Sequence, residues 1–122
     1  MRAGSLMVCT FVLLFAYSAA ACAADFYGAI AYSPSDGARG WSFDYSSRAA
    51  AEQRAVSECS QHGRGCKVIL WFRNACGALA IGSNGYGSGW GTDESIADRY
   101  ALETCAKYTS NCSVVRRVCT RR

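Results

Sequence analysis

Aromatic and small apolar residues fill two short runs, Phe26 to Tyr32 and Arg39 to Tyr45, on either side of Ser33-Pro34-Ser35-Asp36-Gly37. Proline presets one backbone dihedral and glycine supplies a positive one, so the runs read as two strands of a hairpin. From Ser47 the period changes. Ala51, Ala55, Val56 and Cys59 recur at helical spacing, which predicts a helix from an N-cap at Ser47 to about Cys59. A Val/Ile run from Lys67 to Phe72 is a third strand. The same order then returns. Cys76 to Ile81 and Ser88 to Gly91 flank Gly82-Ser83-Asn84-Gly85, whose Asn-Gly pair is a strong hairpin signal. A helix follows with Thr92 as its cap and Ile96, Tyr100, Ala101 and Cys105 along one face, and Ser113 to Val118 closes as a strand. Asp93 and Glu94 fall in that helix's first turn, where the positive end of the peptide dipole favours acids.

The recurrence extends to residue identities. Gly28-Ala29-Ile30-Ala31 returns as Gly77-Ala78-Leu79-Ala80, and Trp41 as Trp90, at an offset of 49. Cys59 and Cys66 return as Cys105 and Cys112 at an offset of 46. A three-residue deletion between tryptophan and helix reconciles the two registers, so the chain reads as one unit used twice. The expectation is an α+β domain of two pseudo-symmetric β-β-α-β repeats, residues 25–73 and 74–122, forming a small antiparallel sheet with two helices.

A different segment precedes the first repeat. From Ala3 to Ala24 there is no charged residue, Arg2 stands before it, and Leu6 to Tyr17 is too short for a spanning helix. Residues 1–24 therefore read as a secretory signal with cleavage near Ala23 or Ala24. Cys22 after small residues leaves a lipoprotein as a lesser alternative, with Ala19 where such signals usually carry leucine. Cleavage would leave 98 residues and, without Arg2, a net charge of +3, only mildly basic.

Of the eight cysteines, Cys59, Cys66, Cys76, Cys105, Cys112 and Cys119 would remain, an even number in an exported domain and hence a disulfide framework. Six cysteines allow fifteen pairings. If both repeats fold alike, Cys59 bonds Cys66 and Cys105 bonds Cys112, which leaves Cys76 with Cys119. In the chain-entropy model the short loops contribute about 2.5 kcal/mol each and the long one about 4 kcal/mol. Zinc prefers closer spacing and recruits histidine, and there is one histidine, so neither metal nor cofactor is expected.

Tyr27-Gly28-Ala29-Ile30-Ala31, Gly40-Trp41, Ser47-Arg48-Ala49-Ala50-Ala51, Cys66-Lys67-Val68, Trp71-Phe72, Cys76-Gly77-Ala78-Leu79-Ala80, Gly89-Trp90-Gly91 and Val118-Cys119 together resemble the bacterial domain of unknown function 4189. The resemblance covers nearly all of the chain after the leader. It implies a small exported domain, of a kind found in secreted mycobacterial proteins and in proteobacteria, and brings no reaction and no catalytic residues. Arg39 departs from it, standing where a small or aromatic residue is expected before Gly40-Trp41.

Searching the residues for chemistry leaves catalytic residues unassigned. Glycines from Gly82 to Gly91 lack the Gly-Lys-Ser/Thr of a phosphate loop and fit a hairpin. His62 sits in the small loop between Cys59 and Cys66, near Ser57, Glu58 and Ser60, where a helix end places it in solvent. Asp93, Glu94 and Asp98 surround one helix start, where capping explains them without paired acid catalysis. After Glu103 the chain holds Lys107, Arg116, Arg117, Arg121 and Arg122 and no acid. That basic end is either a solvated edge strand or a platform for an acidic protein surface, an anionic lipid or nucleic acid, of which nucleic acid fits least. Trp41, Trp71 and Trp90, with Tyr27, Tyr32, Phe43 and Phe72, are expected mostly in the core, the first and last tryptophans at equivalent sites. An exposed Trp71 near Arg73 and Arg116 would instead mark an interface.

The reading is a monomeric, non-enzymatic protein-binding domain of the periplasm or extracellular space, of inhibitor or immunity type, with Trp71, Arg73, Arg116 and Arg117 as binding residues. It needs no nucleic acid and no membrane span after cleavage. The alternatives are a secreted effector acting on a host or competitor, and a small envelope hydrolase using His62 or the acids near Asp93.

Overall fold

The computed structural model describes residues 24–121, so the expected leader, with Cys9 and Cys22, lies outside the described residues apart from Ala24. The chain order is β1 (Tyr27–Tyr32), β2 (Arg39–Tyr45), α1 (Arg48–Ser60), β3 (Lys67–Arg73), β4 (Cys76–Ile81), β5 (Tyr86–Gly91), α2 (Glu94–Ala106) and β6 (Ser113–Cys119). The class is the expected α+β, with the β-β-α-β unit used twice. Where the sequence points to one small sheet, the strands divide into two antiparallel sheets, ordered β2-β1-β3 and β5-β4-β6. Each central strand fills both of its hydrogen-bonding edges from its own repeat. The two repeats therefore meet through side chains rather than through a ladder.

Four layers result: α1, first sheet, second sheet, α2. The helix-facing layers are built from small residues. Ala29 and Ala31 meet Ala51, Ala55 and Cys59 on one side, while Ala78 and Ala80 meet Ala97, Ala101 and Cys105 on the other. Between the sheets lie Ile30, Tyr32, Phe72, Leu79 and Val118. Phe72 sits at the centre of this layer. A Cβ on Gly28 or on Gly77 would lie 2.5 Å from its ring, so both central strands need glycine there for the sheets to close on it. The position equivalent to Phe72 in the second repeat holds the smaller Val118, which pairs with Gly77 as Phe72 pairs with Gly28.

The three disulfides are Cys59–Cys66, Cys105–Cys112 and Cys76–Cys119, as the repeat argument expects. The first two have nearly the same Cα separation, 6.0 and 6.2 Å, and each ties the end of a helix to the next strand. The third joins directly paired residues of β4 and β6, where the first repeat pairs Tyr27 with Arg73. Hydrogen bonds echo the symmetry. Asn74 and Phe26 exchange two bonds of 2.9 Å at the end of β3, and Thr120 and Ala75 exchange two of 2.9 Å at the end of β6.

Two expectations are corrected by register. Ala29 pairs with Ser42 and Ala78 pairs with Gly89, so β5 follows β2 at an offset of 47, not 49. Two of the three deleted residues come from the hairpin loop, six residues long in the first repeat and four in the second. The third is the bulge in β2 between Ser42 and Tyr45. Trp41 is therefore equivalent to Ser88, and Trp90 to Phe43; the tryptophans match in sequence but not in space. The second correction concerns α2, whose N-cap is Asp93 and not Thr92: Asp93 Oδ1 accepts the Ile96 N–H at 3.0 Å. Asp93 stands 46 residues after Ser47, which caps α1 by accepting the Ala50 N–H at 3.1 Å. The buried face of α2 is Ala97, Ala101 and Cys105, while Tyr100 is exposed and Ile96 half-buried.

The first hairpin turns with Gly37 at φ 76°, as proline and glycine predict. The second closes without a positive φ at Asn84 or Gly85. Its tip is held by the loop after α2 instead: Asn84 N–H donates to Thr109 Oγ1 at 2.9 Å, and Ser83 N–H to the Ser110 carbonyl at 2.9 Å.

Candidate functional site

Strand alternation sends Leu70 and Phe72 between the sheets and turns Trp71 outward, on the α1 side. Trp71 is 39% exposed; the Arg48 guanidinium lies 4.4 Å from its ring centre and Tyr27 stacks at 6.3 Å. On the neighbouring edge strand, β5, Gly87, Gly89 and Gly91 are buried under α2, and the alternate residue Trp90 projects outward, 54% exposed. Edge strands β3 and β5 run beside each other. They enclose a cleft of about 490 Å³ lined by Ile69, Leu70, Trp71, Phe72, Arg73 and Trp90. Tyr100 and Tyr108 are exposed nearby on α2 and the loop after it, and Tyr108 with Tyr86 and Ile69 lines a second cleft of about 580 Å³ along the same edge. Large exposed aromatics side by side on rigid strands are what a soluble surface normally avoids.

The four residues singled out from sequence separate in space. Trp71 and Arg73 share the β3/β5 cleft, with Arg73 3.9 Å from Asp25. Arg116 and Arg117, adjacent on β6, point to opposite faces. Arg117 turns to α2, where its Nε donates to both Asp98 carboxylate oxygens at 3.0 and 3.1 Å and its Nη2 also reaches Oδ2. The hydrogen bond to Asp98, and then its charge, raise the pKa of Arg117 above the ordinary arginine value. Arg116 turns inward over Trp41, its guanidinium carbon 3.6 Å from the ring centre. That geometry is a cation–π contact of about 0.5–2 kcal/mol. Arg121 is also engaged, by Asp44 at 3.3 Å. Among the described residues, Arg116, Arg117 and Arg121 thus turn to three different neighbours, Trp41, Asp98 and Asp44.

On the opposite edge, β2 and β6 border a cleft of about 600 Å³ lined by Gly37, Ala38, Arg39, Trp41, His62, Val115 and Arg116. His62 is exposed there, and Glu58, its neighbour in sequence, is held by Arg54 at 2.6 Å. Of the acids near the α2 start, Asp93 caps the helix and Asp98 holds Arg117. Among the described residues no group of three or more His, Cys, Asp or Glu side chains is placed to hold a metal ion, and no helix is long and apolar enough to cross a membrane.

The sequence reading missed Trp90 and Arg39. Trp90 is expected in the core from strand alternation, and a signal against that lies in the glycines at alternate positions 87, 89 and 91, which mark the other face of β5 as the packed one. Arg39 stood out only as a departure from the family pattern; its neighbour in space, Arg116, is 77 residues away in the chain.

Comparison with known proteins places these features on a shared scaffold. The chain is 48% identical over 80 residues to protein Rv1269c of Mycobacterium tuberculosis, covering 66% of this chain and 61% of that one. To Rv1813c of the same species it is 40% identical over 76 residues, covering 62% of this chain and 50% of the relative. The matched region thus spans less than two thirds of these relatives. The NMR structure of Rv1813c superposes with a TM-score of 0.54 at 30% identity, over 77% of this chain and 74% of that one. The model of the domain of unknown function DUF4189 matches residues 27–119, the whole span from β1 to the last residue of β6, and the chain belongs to that family.

Proposed function

We propose that the chain is an exported, non-catalytic protein-binding domain, an inhibitor or immunity-type module of the cell envelope, freed of residues 1–24 on export. Three disulfides in a domain of this size support the export. The observation that carries the binding function is the pair of exposed tryptophans, Trp71 and Trp90, with Arg73 beside them on the β3/β5 cleft. Tryptophan and arginine dominate binding energy when a partner dries them, and a surface preformed on paired strands of a cross-linked domain loses little freedom on binding.

The test uses the oxidised mature protein as bait in envelope and culture-supernatant fractions of its own host, beside a Trp90→Ala bait whose three bridges are verified by intact mass. A stoichiometric partner retained by the first bait and lost at least about tenfold on the second supports the reading. A partner retained equally by both baits, or none, overturns it. Purified partner would then show whether its activity is blocked in the complex, which separates an inhibitor from a scaffold.

A further inference from the structure

The β2/β6 cleft is independent of the tryptophan groove, on the far edge of each sheet. Two of its lining residues are arginines without a carboxylate partner: among the described residues Arg48, Arg54, Arg73, Arg117 and Arg121 each meet an acid, whereas Arg39, Arg64, Arg99 and Arg116 do not, and of these four Arg39 and Arg116 line one cleft. Of the nearby acids, Glu58 is paired with Arg54, and Asp36, on the adjoining turn, is held in place by the Arg64 N–H at 2.7 Å and forms no ion pair with either arginine.

Arg116 is half-buried and stacked on Trp41, and its Nε is buried without a hydrogen-bond partner. Stacking orients the planar guanidinium, so its terminal nitrogens are presented to the cleft in one arrangement rather than many. His62 adds a ring N–H donor at the rim. The equivalent edge of the molecule shows that the fold does not demand these charges. There the residues matching Arg39, Trp41, His62 and Arg116 are Tyr86, Ser88, Tyr108 and Leu70.

From this we infer that the β2/β6 cleft binds a phosphate group, with Arg39 and Arg116 as its charged ligands and His62 at its rim. Two guanidinium groups balance a phosphate dianion, whereas one carboxylate would leave a charge uncompensated. The phosphate can belong to a free phosphorylated molecule or to a lipid headgroup that ends in a phosphomonoester, and both present the same three terminal oxygens.

The test is titration of the oxidised, ¹⁵N-labelled mature protein with inorganic phosphate, with sodium acetate and sodium chloride at matched ionic strength as controls. The side-chain Nε–H signals of Arg39 and Arg116 are the readout; burial protects the second from exchange. Expected are saturable shifts at both arginines with phosphate, and a response to acetate at least about tenfold weaker. Arg39→Tyr with Arg116→Leu, the residues the other edge carries, should abolish the response, and Trp90→Ala should leave it intact. Arg39→Tyr alone, at the cleft mouth, serves if the double variant does not fold. Shifts no larger than with acetate or chloride, or shifts that survive loss of Arg39, would overturn the site. Sedimentation with phosphatidylcholine vesicles containing phosphatidic acid separates the sources. Arg39-dependent sedimentation assigns a headgroup, and phosphate binding without it assigns a free ligand.

Discussion

The two edges of the sandwich begin from the same plan and end with opposite chemistry. At one edge β2 and β6 border Arg39, Trp41, His62 and Arg116; at the other, the equivalent strands β5 and β3 border Tyr86, Ser88, Tyr108 and Leu70. The volumes are close, about 600 and 580 Å³. The repeated backbone places a cleft at each edge, and the side chains that line it differ. The difference is carried by few residues. In the first repeat Leu70 packs into the layer between the sheets, and in the second Arg116 takes that place and must stack its charge on Trp41. The repeat supplies two similar grooves; differences at edge positions, where packing constrains least, leave one with exposed tryptophans and the other with a pair of arginines beside Trp41.

The interior has diverged too, and its largest asymmetry is the one to break first. Phe72→Ala, which empties the site between Gly28 and Gly77, is expected to cost about 3–5 kcal/mol, whereas Val118→Ala at the matching position should cost about 2 kcal/mol. Urea midpoints of the two variants measure the contrast, and equal losses would mean that the layer is not centred on Phe72. Replacing Cys76 and Cys119 by alanine, the bridge without a counterpart, should remove about 4 kcal/mol. The matched pairs Cys59/Cys66 and Cys105/Cys112 should each remove about 2.5 kcal/mol and, if the repeats are energetically alike, by the same amount. Thermal melts of the three double variants provide the check. Helix caps give the finest comparison. Ser47→Ala and Asp93→Ala should each lose about 1 kcal/mol, and Thr92→Ala, outside the cap, should stay within about 0.5 kcal/mol of the parent. A loss at Thr92 as large as at Asp93 would move the cap back to the residue that the sequence pattern first indicates.

Much of this was legible in the chain. Element types followed from local periodicity and turn chemistry, so β4 and β2 were placed to the residue and the remaining strands and helices to within one or two residues at each end. Their type is signalled by chain neighbours, although the β1–β3 and β4–β6 ladders that complete the sheets join distant residues. The repeat, read through the cysteines, also chose the three bridges, because Cys59 and Cys105 each end a helix that returns to the same next strand. What sequence comparison could not decide was where the three missing residues left the second repeat. A gap placed after the tryptophan equates Trp41 with Trp90; the true division between hairpin loop and bulge moves β5 by two residues and puts Ser88 opposite the place of Trp41. Identical residues thus came to rest in different surroundings.

The sequence by itself determined the elements, the repeat and the cross-links, since each depends on interactions between residues close in the chain or on a pattern internal to it. Tertiary structure alone decided which side chains share a cleft. Adjacent residues of a strand face opposite ways, so Arg116 and Arg117 part company, and only the packing of one sheet on the other brings Arg116 to Arg39 and Trp71 to Trp90. Such meetings depend on long-range register, which no local pattern encodes.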